Sequence, residues 1–357
     1  MNALNTALQS TQTTVQETLL SLPQQLKAQL PLSTPLKLQI AEQRQTIQNI
    51  LEGKDHRLMV ITGPCSIHDP IAVLEYAEKL KQLQTKVSDQ IFFVMRAYIE
   101  KPRTTVGWKG FLYDPLLDGS SNMQLGLEQS RALYLAIIEM GLPIATEILS
   151  PMATAYFDDL LAWGAIGART SESQIHREIS SHMPFSIGFK NGTDGSIQIA
   201  LDAIQSASNP HQFMGIGQQG MACMLQSQGN PKPHLILRGA NSGPNYALAD
   251  IRHMQDKVKG ELPALVIDCS HGNSSKNPLN QPNVLRSIVA ERTQSNVCGV
   301  MLESHLVDGN QKISDDMVYG QSVTDGCLGW EKTEQVLLEV ADTLRSHAVQ
   351  RLSLIHI

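Results

Sequence analysis

The sequence of 357 residues predicts an α/β chain closed into a (β/α)8 barrel of the TIM type, with an N-terminal extension and a β-hairpin inserted between helix five and strand six. Three observations predict it. Eight short apolar runs recur along the chain, each followed by a turn and usually by a helical pattern. Near-continuous Val/Ile/Leu runs alternating with helices indicate a parallel sheet, and eight such units favour a closed barrel over an open doubly wound sheet. The length agrees, because such barrels take about 250 residues and leave roughly 100 for additions.

The elements follow in order. The first 35 residues are polar, carry leucines at irregular spacing and are broken by Pro23, Pro31 and Pro35; they read as an arm. Leu36, Leu38, Ile40, Ile47, Ile50 and Leu51 suit an amphipathic helix over Leu36–Leu51. Residues 1–53 are thus assigned to an arm and helix outside the barrel, and 54–348 to the barrel. The predicted strands are Leu58–Pro64, Phe92–Tyr98, Pro143–Ile148, Ala165–Thr170, Phe185–Lys190, His234–Ala240, Ala264–Ser270 and Val297–Ser304. Between them, helices are predicted over Ile71–Leu83, Leu125–Met140, Ala153–Trp163 and Ile197–Ala207, and Glu331–Leu344 closes the set. Two stretches depart from the rhythm. The link from Ile99 to Asn122 is long, and long loops in compact domains are usually functional. About 211–230, Phe213-Met-Gly-Ile-Gly, Gln218-Gln-Gly and Met221–Gln226 read as a hairpin that a barrel does not require. Residues 349–357 form a tail, of which 352–357 resemble the translation of a sequencing adapter and are set aside as non-native.

Composition narrows the function. Hydrophobic residues make up 42% and charged residues 17%, as in soluble globular chains. No apolar run reaches the ~18 residues of a membrane span, and Met1–Gln29 lacks a signal pattern, so the expected location is the cytoplasm, with no membrane partner. The five scattered cysteines are expected to be thiols, core residues or metal ligands. A net charge of −6 argues against a general nucleic-acid binder, so any cationic site must be built locally.

In a (β/α)8 barrel the active site forms at the C-terminal ends of the strands. Cys65, Arg96, Glu147, Arg169, Lys190, Arg238, His271 and Glu303 stand at the eight predicted ends in turn. Four of them are cations, and the following Lys101-Pro-Arg-Thr-Thr run adds Lys101 and Arg103. Six cations at one mouth of an acidic protein point to anionic ligands, since Arg matches phosphate and carboxylate bidentately and Lys supplies a compact charge. Two anionic substrates account for six cations more simply than one. The alternative is a set of salt bridges to Glu147, Asp268 and neighbouring acids. Cys65, His271 and Glu303, with Asp325 as fourth candidate, mix soft and hard donors and suit a divalent first-row ion. Cys65 could instead be a small core residue. Cys269 is a rival thiol, but strand alternation points it away from His271's neighbours.

Longer motifs carry a specific resemblance. Gly63-Pro-Cys-Ser-Ile-His, Arg96-Ala-Tyr-Ile-Glu-Lys-Pro-Arg-Thr-Thr-Val-Gly-Trp-Lys-Gly, Gly167-Ala-Arg-Thr-Ser-Glu-Ser-Gln, Gly188-Phe-Lys-Asn-Gly-Thr-Asp-Gly, Asp268-Cys-Ser-His-Gly-Asn-Ser, Glu303-Ser-His-Leu-Val-Asp-Gly-Asn-Gln and Ser322-Val-Thr-Asp resemble bacterial type I 3-deoxy-D-arabino-heptulosonate 7-phosphate (DAHP) synthases. The likeness runs from about Leu36 to Arg345. It implies condensation of phosphoenolpyruvate with erythrose 4-phosphate, the first step of the shikimate pathway. It implies one divalent ion per subunit (Mn, Fe, Co or Zn) on Cys65, His271, Glu303 and Asp325. Phosphoenolpyruvate would be held by Arg96, Lys101, Arg169, Lys190 and Arg238 with Glu147 lining that site, and Arg103 and Thr104 would grip the aldose phosphate.

Lys101 is the candidate proton donor to the new hydroxyl, and its cationic neighbours are expected to lower its pKa. The resemblance further implies a homodimer or homotetramer inhibited by an aromatic amino acid, bound near Phe213, Gly215 and Leu225 between hairpin, barrel and a neighbour's arm. The hairpin wording leans toward the tyrosine-sensitive kind, with phenylalanine next; Pro184 stands where some relatives carry a Ser that touches the effector. Three rival readings remain: a 3-deoxy-D-manno-octulosonate 8-phosphate synthase using arabinose 5-phosphate, which Lys101-Pro-Arg-Thr-Thr disfavours; a Schiff-base aldolase using Lys190; and a non-catalytic paralogue, against which stands the complete set of ligands and cations.

Overall fold

The computed structural model describes residues 17–355 except Thr104 and Lys259, with side chains described as far as Ala348. Eight parallel strands close the barrel: β1 Leu58–Gly63, β2 Ile91–Arg96, β3 Ile144–Glu147, β4 Trp163–Ile166, β5 Ser186–Lys190, β8 His234–Leu237, β9 Leu265–Asp268 and β10 Val297–His305. Closure comes from β10 pairing back on β1, with Met59 opposite Gly299 and Gly63 opposite Glu303. The two-residue β11, Leu328–Gly329, adds to the end of β10.

Strand alternation divides the core in two. Leu58, Val60, Phe93, Met95, Ile187, Phe189, Leu235, Leu237, Leu265, Ile267, Val300 and Leu302 pack outward with the helices. Met59, Ile61, Val94, Ala145, Trp163, Ile236, Val266 and Met301 fill the interior. Trp163 is accommodated because β5 carries Gly188, where a Cβ would lie 2.9 Å from the indole and 2.5 Å from Ile236. Ile47, Ile50 and Leu51 join this inner cluster and close the end of the barrel opposite the predicted site. They belong to α2, Thr34–Leu51, which follows the short α1, Pro23–Gln29.

Around the barrel lie α3 Pro70–Val87, α4 Met123–Glu139, α5 Thr154–Phe157, α6 Gln174–His182, α7 Gln198–Ala207, α8 Leu248–Lys257, α9 Gln281–Glu291 and α10 Trp330–Ile355. Their starts follow local capping: Asp69 accepts from the N–H of Ile71 and Ala72 with Pro70 at N1, and Asn122 and Ser173 cap α4 and α6. The inserted hairpin pairs β6 Gln212–Ile216 with β7 Ala222–Gln226, Phe213 facing Leu225 across the ladder.

Most expected elements stand within a few residues of their predicted bounds; three differ materially. The helix expected over Ala153–Trp163 shrinks to the single turn α5, and strand four starts at Trp163 and ends at Ile166 instead of spanning Ala165–Thr170. The sheet claims Trp163, which pairs with Ala145 and Ser186, and the guanidinium of Arg44 from α2 satisfies the carbonyls left between, those of Asp158 (2.7 Å) and Leu161 (2.6 and 2.8 Å). The final helix runs on through residues 349–355, where a tail was expected. Among the described residues no helix is long and apolar enough to cross a membrane.

The N-terminal segment is fastened by polar contacts. Arg131, fully buried, grips Asp159 bidentately and donates to the carbonyl of Leu30. Lys27 reaches Asp158 at 2.5 Å and Gln218 of the hairpin turn at 3.0 Å, while the N–H of Gln24 donates to the Gln218 carbonyl.

Candidate active site

At the C-terminal ends of the strands opens a cavity of about 690 Å³. Arg96, Lys101, Arg103, Glu147, Arg169, Lys190, Arg238, His271 and Asp325, all singled out from sequence, line it together. Thr104 falls outside the described residues. Cys65 and Glu303 stand behind the lining, in contact with Lys101 and Arg96 respectively. Arg169 lies in the turn beyond β4, and Glu303 lies within β10 and not after it.

Each cation is placed by a different device. Arg96 ends β2 and is almost fully buried; it pairs with Glu303 at 3.0 Å, donates to the carbonyls of Pro64 and Cys65, both at 2.9 Å, and lies 3.7 Å above the ring of Tyr98. That proximity requires Gly63, where a Cβ would come within 2.3 Å of the Arg96 carbonyl oxygen. Lys190 ends β5 and meets the buried carboxylate of Asp268 at 2.7 Å. Lys101 touches both Cys65 Sγ (2.8 Å) and Asp325 Oδ2 (2.7 Å).

The salt-bridge alternative therefore describes at least Arg96, Lys101 and Lys190 among the six predicted cations. Arg103 and Arg238 have no ion pair among the described residues, and Lys276 adds a seventh cation to the lining.

The donor atoms of Cys65, Glu303 and Asp325 lie within 4.8 Å of one another. His271 stands beside this group rather than inside it, its Nε2 4.0 Å from Glu303 Oε1. Its Nδ1 is 2.9 Å from Asp268 Oδ2 and 2.6 Å from Ser270 Oγ, an arrangement that fixes the ring and turns Nε2 toward the cluster. Gln281 holds Glu303 through both its backbone groups, at 2.8 and 2.9 Å. The residues present fit a divalent cation: one thiol and two carboxylates converge, an imidazole faces them, and the Lys101 ammonium already bridges two of them. Cys269 is buried in the outer core, as alternation implied, and its place as a rival ligand falls away.

The electrostatics follow from these contacts. Burial pushes the Cys65 thiol up to about 11, with Glu303 adding to the rise. Asp268 is held well below the usual carboxylate range, because Lys190 and His271 outweigh its burial. Asp325 is likewise lowered, burial being outweighed by Lys101. The expected lowering of the Lys101 pKa is reversed. Burial opposes its charge, but Cys65 and Asp325 outweigh burial and hold it above the ordinary lysine value. The nearest charges of Lys101 are acids, not the other cations.

Several contributors escaped the sequence. Tyr98 lies under Arg96, Gln281 holds Glu303, and Cys327 Sγ accepts from the backbone N–H of Cys65 at 3.4 Å, while Asp268, expected as an ion-pair partner, also orients His271. Each is the neighbour of a chemical residue, with no pattern of its own. Lys276 had one signal, its place five residues after His271 in the same turn.

A second cavity, about 470 Å³, lies between the hairpin, α5 and α6. Phe213, Gly215 and Leu225 line it with Met152, Ile179 and Met183, and Asp158 and Gln218, the partners of Lys27, lie on its wall.

A (β/α)8 barrel that gathers seven cations and a thiol–carboxylate cluster at its strand ends defines the class: a barrel enzyme built for anionic substrates. The chain belongs to the DAHP synthetase I family, whose model matches residues 34–338, and is an enzyme of that class. It is 48% identical over 344 residues, 94% of this chain and 96% of the relative, to the Tyr-sensitive phospho-2-dehydro-3-deoxyheptonate aldolase of Escherichia coli (strain K12). The Trp-sensitive enzyme of Enterobacter agglomerans is 46% identical over 329 residues, 90% of this chain and 94% of that one. A solved phospho-2-dehydro-3-deoxyheptonate aldolase from Francisella tularensis SCHU S4 superposes with a TM-score of 0.90 at 44% identity, covering 92% of this chain and 98% of that one.

Proposed function

We propose that the chain condenses phosphoenolpyruvate with erythrose 4-phosphate and water, giving DAHP and phosphate. The observation that carries this is the single cavity into which seven cationic side chains open, beside the thiol–carboxylate cluster. Arg96, Lys101, Arg169, Lys190 and Arg238 bind phosphoenolpyruvate through its carboxylate and phosphate, with Glu147 lining that part of the cavity. Arg103 and Thr104 hold the phosphate of the aldose. Cys65, His271, Glu303 and Asp325 hold one divalent first-row ion, which when bound supplies Lewis-acid polarisation of the aldehyde oxygen.

The chain's own groups do the rest. The cations align C3 of phosphoenolpyruvate with the aldehyde carbon and stabilise the anionic groups as charge shifts. Attack by C3 leaves positive charge at C2, water adds there, and phosphate departs by C–O cleavage. Lys101 gives its proton to the new hydroxyl. A lysine held above its usual pKa is a weak acid at rest, and becomes a better one as the aldehyde oxygen gathers negative charge beside it.

Phosphate release from phosphoenolpyruvate is the test. It should require erythrose 4-phosphate and stop on adding chelator. Preference for arabinose 5-phosphate would transfer the chain to the octulosonate reading. Against a Schiff base on Lys190 stands its engagement with Asp268; borohydride should leave Lys190 unmodified in the presence of substrate.

An aromatic amino acid regulates this enzyme from the hairpin cavity, tyrosine before phenylalanine. Supporting this are its apolar lining by Phe213, Leu225, Ile179 and Met183, and the relatives' names as Tyr- and Trp-sensitive enzymes. Residues 1–53 serve regulation and assembly, 54–348 form the catalytic barrel, and the working unit is a homodimer or homotetramer. Exposed Met214, Met221 and Met224 on the hairpin support an interface between copies. Five unpaired thiols support a cytoplasmic location.

A further inference from the structure

We propose that Glu100 is a positioning residue for the condensation: its buried carboxyl fastens the loop carrying Lys101 and Arg103 to the neighbouring β3 rim. This rests on the proposed function. The link after β2 is long, and its tip folds on itself through the N–H of Lys101 to Lys109 O (2.9 Å) and the N–H of Leu112 to Ile99 O (3.0 Å). Those bonds shape the loop, and Ile99, Phe111 and Leu112 seat its base in the core. Glu100 adds the polar tie from that base to the β3 rim. One carboxyl oxygen accepts from the hydroxyl of Tyr113 in its own loop at 3.1 Å, and the other accepts from the N–H of Ser150, beyond β3, at 3.3 Å.

Glu100 is 4% exposed and has no cationic partner among the described residues, a costly arrangement for a carboxyl group. Burial accordingly pushes it up to about 7, and Glu147, which shares a small cavity with it, pushes the same way. Such a group is not needed to fill space, which an apolar side chain does at lower cost. What it does is bridge two rim segments. The next residue is Lys101, whose ammonium reaches Cys65 and Asp325. A loop released by about 1 Å would displace Lys101 and Arg103 together, and misplacement on that scale costs on the order of 100-fold in rate.

The test compares Glu100→Ala, Glu100→Gln and Tyr113→Phe with the wild-type metal-loaded enzyme. Glu100→Ala should raise the KM for erythrose 4-phosphate at least about tenfold and lower kcat on the order of 100-fold. The KM for phosphoenolpyruvate, held by four cations outside this loop besides Lys101, should rise several-fold less than the KM for the aldose, and manganese affinity should change less than about threefold, on the same geometric argument. Glu100→Gln keeps an acceptor for the Ser150 N–H and offers its amide N–H to the Tyr113 hydroxyl oxygen, reversing that bond, and should recover most of the loss. Tyr113→Phe removes one bond and should show a smaller effect of the same kind, so the inference stays testable if Glu100→Ala does not fold.

Equal losses in every parameter for the Ala and Gln variants, or a wild-type KM for the aldose in Glu100→Ala, would overturn it. Amide exchange over residues 101–120 keeps this outcome separate from the substrate assignment. Faster exchange in Glu100→Ala supports the fastening even if the aldose proves to be another sugar phosphate, and unchanged exchange refutes it.

Discussion

Replacing Lys101 with Met removes one ammonium from between a thiol and a carboxylate, and the structure predicts two effects of opposite sign. The ammonium lies 2.8 Å from Cys65 Sγ and 2.7 Å from Asp325 Oδ2, so it competes with a metal ion for two of the four proposed donors. Unit charges about 4 Å apart interact by about 4 kcal/mol at an effective dielectric of 20. Its loss should therefore leave affinity for a divalent ion unchanged or raise it. Turnover should fall: a positioned proton donor contributes roughly 100- to 10,000-fold, or about 3–5 kcal/mol at 1.36 kcal/mol per decade. Manganese titration followed by electron paramagnetic resonance reads the first effect, and phosphate release at saturating substrates reads the second. A lysine that served only as a counter-ion to the cluster would, once removed, shift metal affinity and leave kcat at saturating metal near the wild-type value. A variant with kcat within tenfold of wild type would refute the role as proton donor.

Asp268→Asn should be more damaging than its distance from substrate suggests. It leaves Lys190 charged and unpaired in a buried position, a loss of about 3–5 kcal/mol, and unfastens His271; a lowered melting temperature, a raised KM for phosphoenolpyruvate and about 10- to 100-fold weaker metal binding should appear together. His234 is buried, and burial pushes its imidazole down to about 4. Because the folded value lies below the unfolded one, its contribution is complete above pH 6.5 and is lost as pH falls toward 4, at about 1.36 kcal/mol per pH unit. Glu100, raised to about 7, acts with the opposite sign, losing its contribution as pH rises from 4.5 through 7. Thermal melts of His234→Gln against wild type should thus converge at low pH, and parallel curves would exclude His234. Phe213→Ala should raise the concentration of aromatic amino acid needed for half-inhibition at least tenfold, by about 1.4 kcal/mol or more, without changing uninhibited turnover; unchanged inhibition would remove the effector from the hairpin cavity.

The barrel was legible because strand burial here is periodic and strong. Met59 and Ile61 point in, Leu58 and Val60 point out, and each run reads as apolar throughout. The site was legible for a related reason: the fold delivers strand ends to one place, so reading the residue at each end amounts to reading the cavity wall. What stayed hidden depends on contacts between distant segments. The truncation of α5 goes with Trp163 pairing in the sheet and with Arg44, more than a hundred residues earlier, bonding the carbonyls beyond its end. The sign of the Lys101 shift depends on Asp325, 224 residues away. A list of cations predicts mutual repulsion, and only their placement against Glu303, Asp325 and Asp268 reveals that three are already paired.

The clasp of Lys27 on Asp158 and Gln218 imposes an order on synthesis. Lys27 emerges from the ribosome 131 and 191 residues before its two partners. At about 5–20 residues per second the second partner follows roughly 10–40 s later. During that interval the leading segment has no completed surface to dock on, and the wall that Asp158 and Gln218 share is still complete before β8, β9 and β10 emerge to close the barrel.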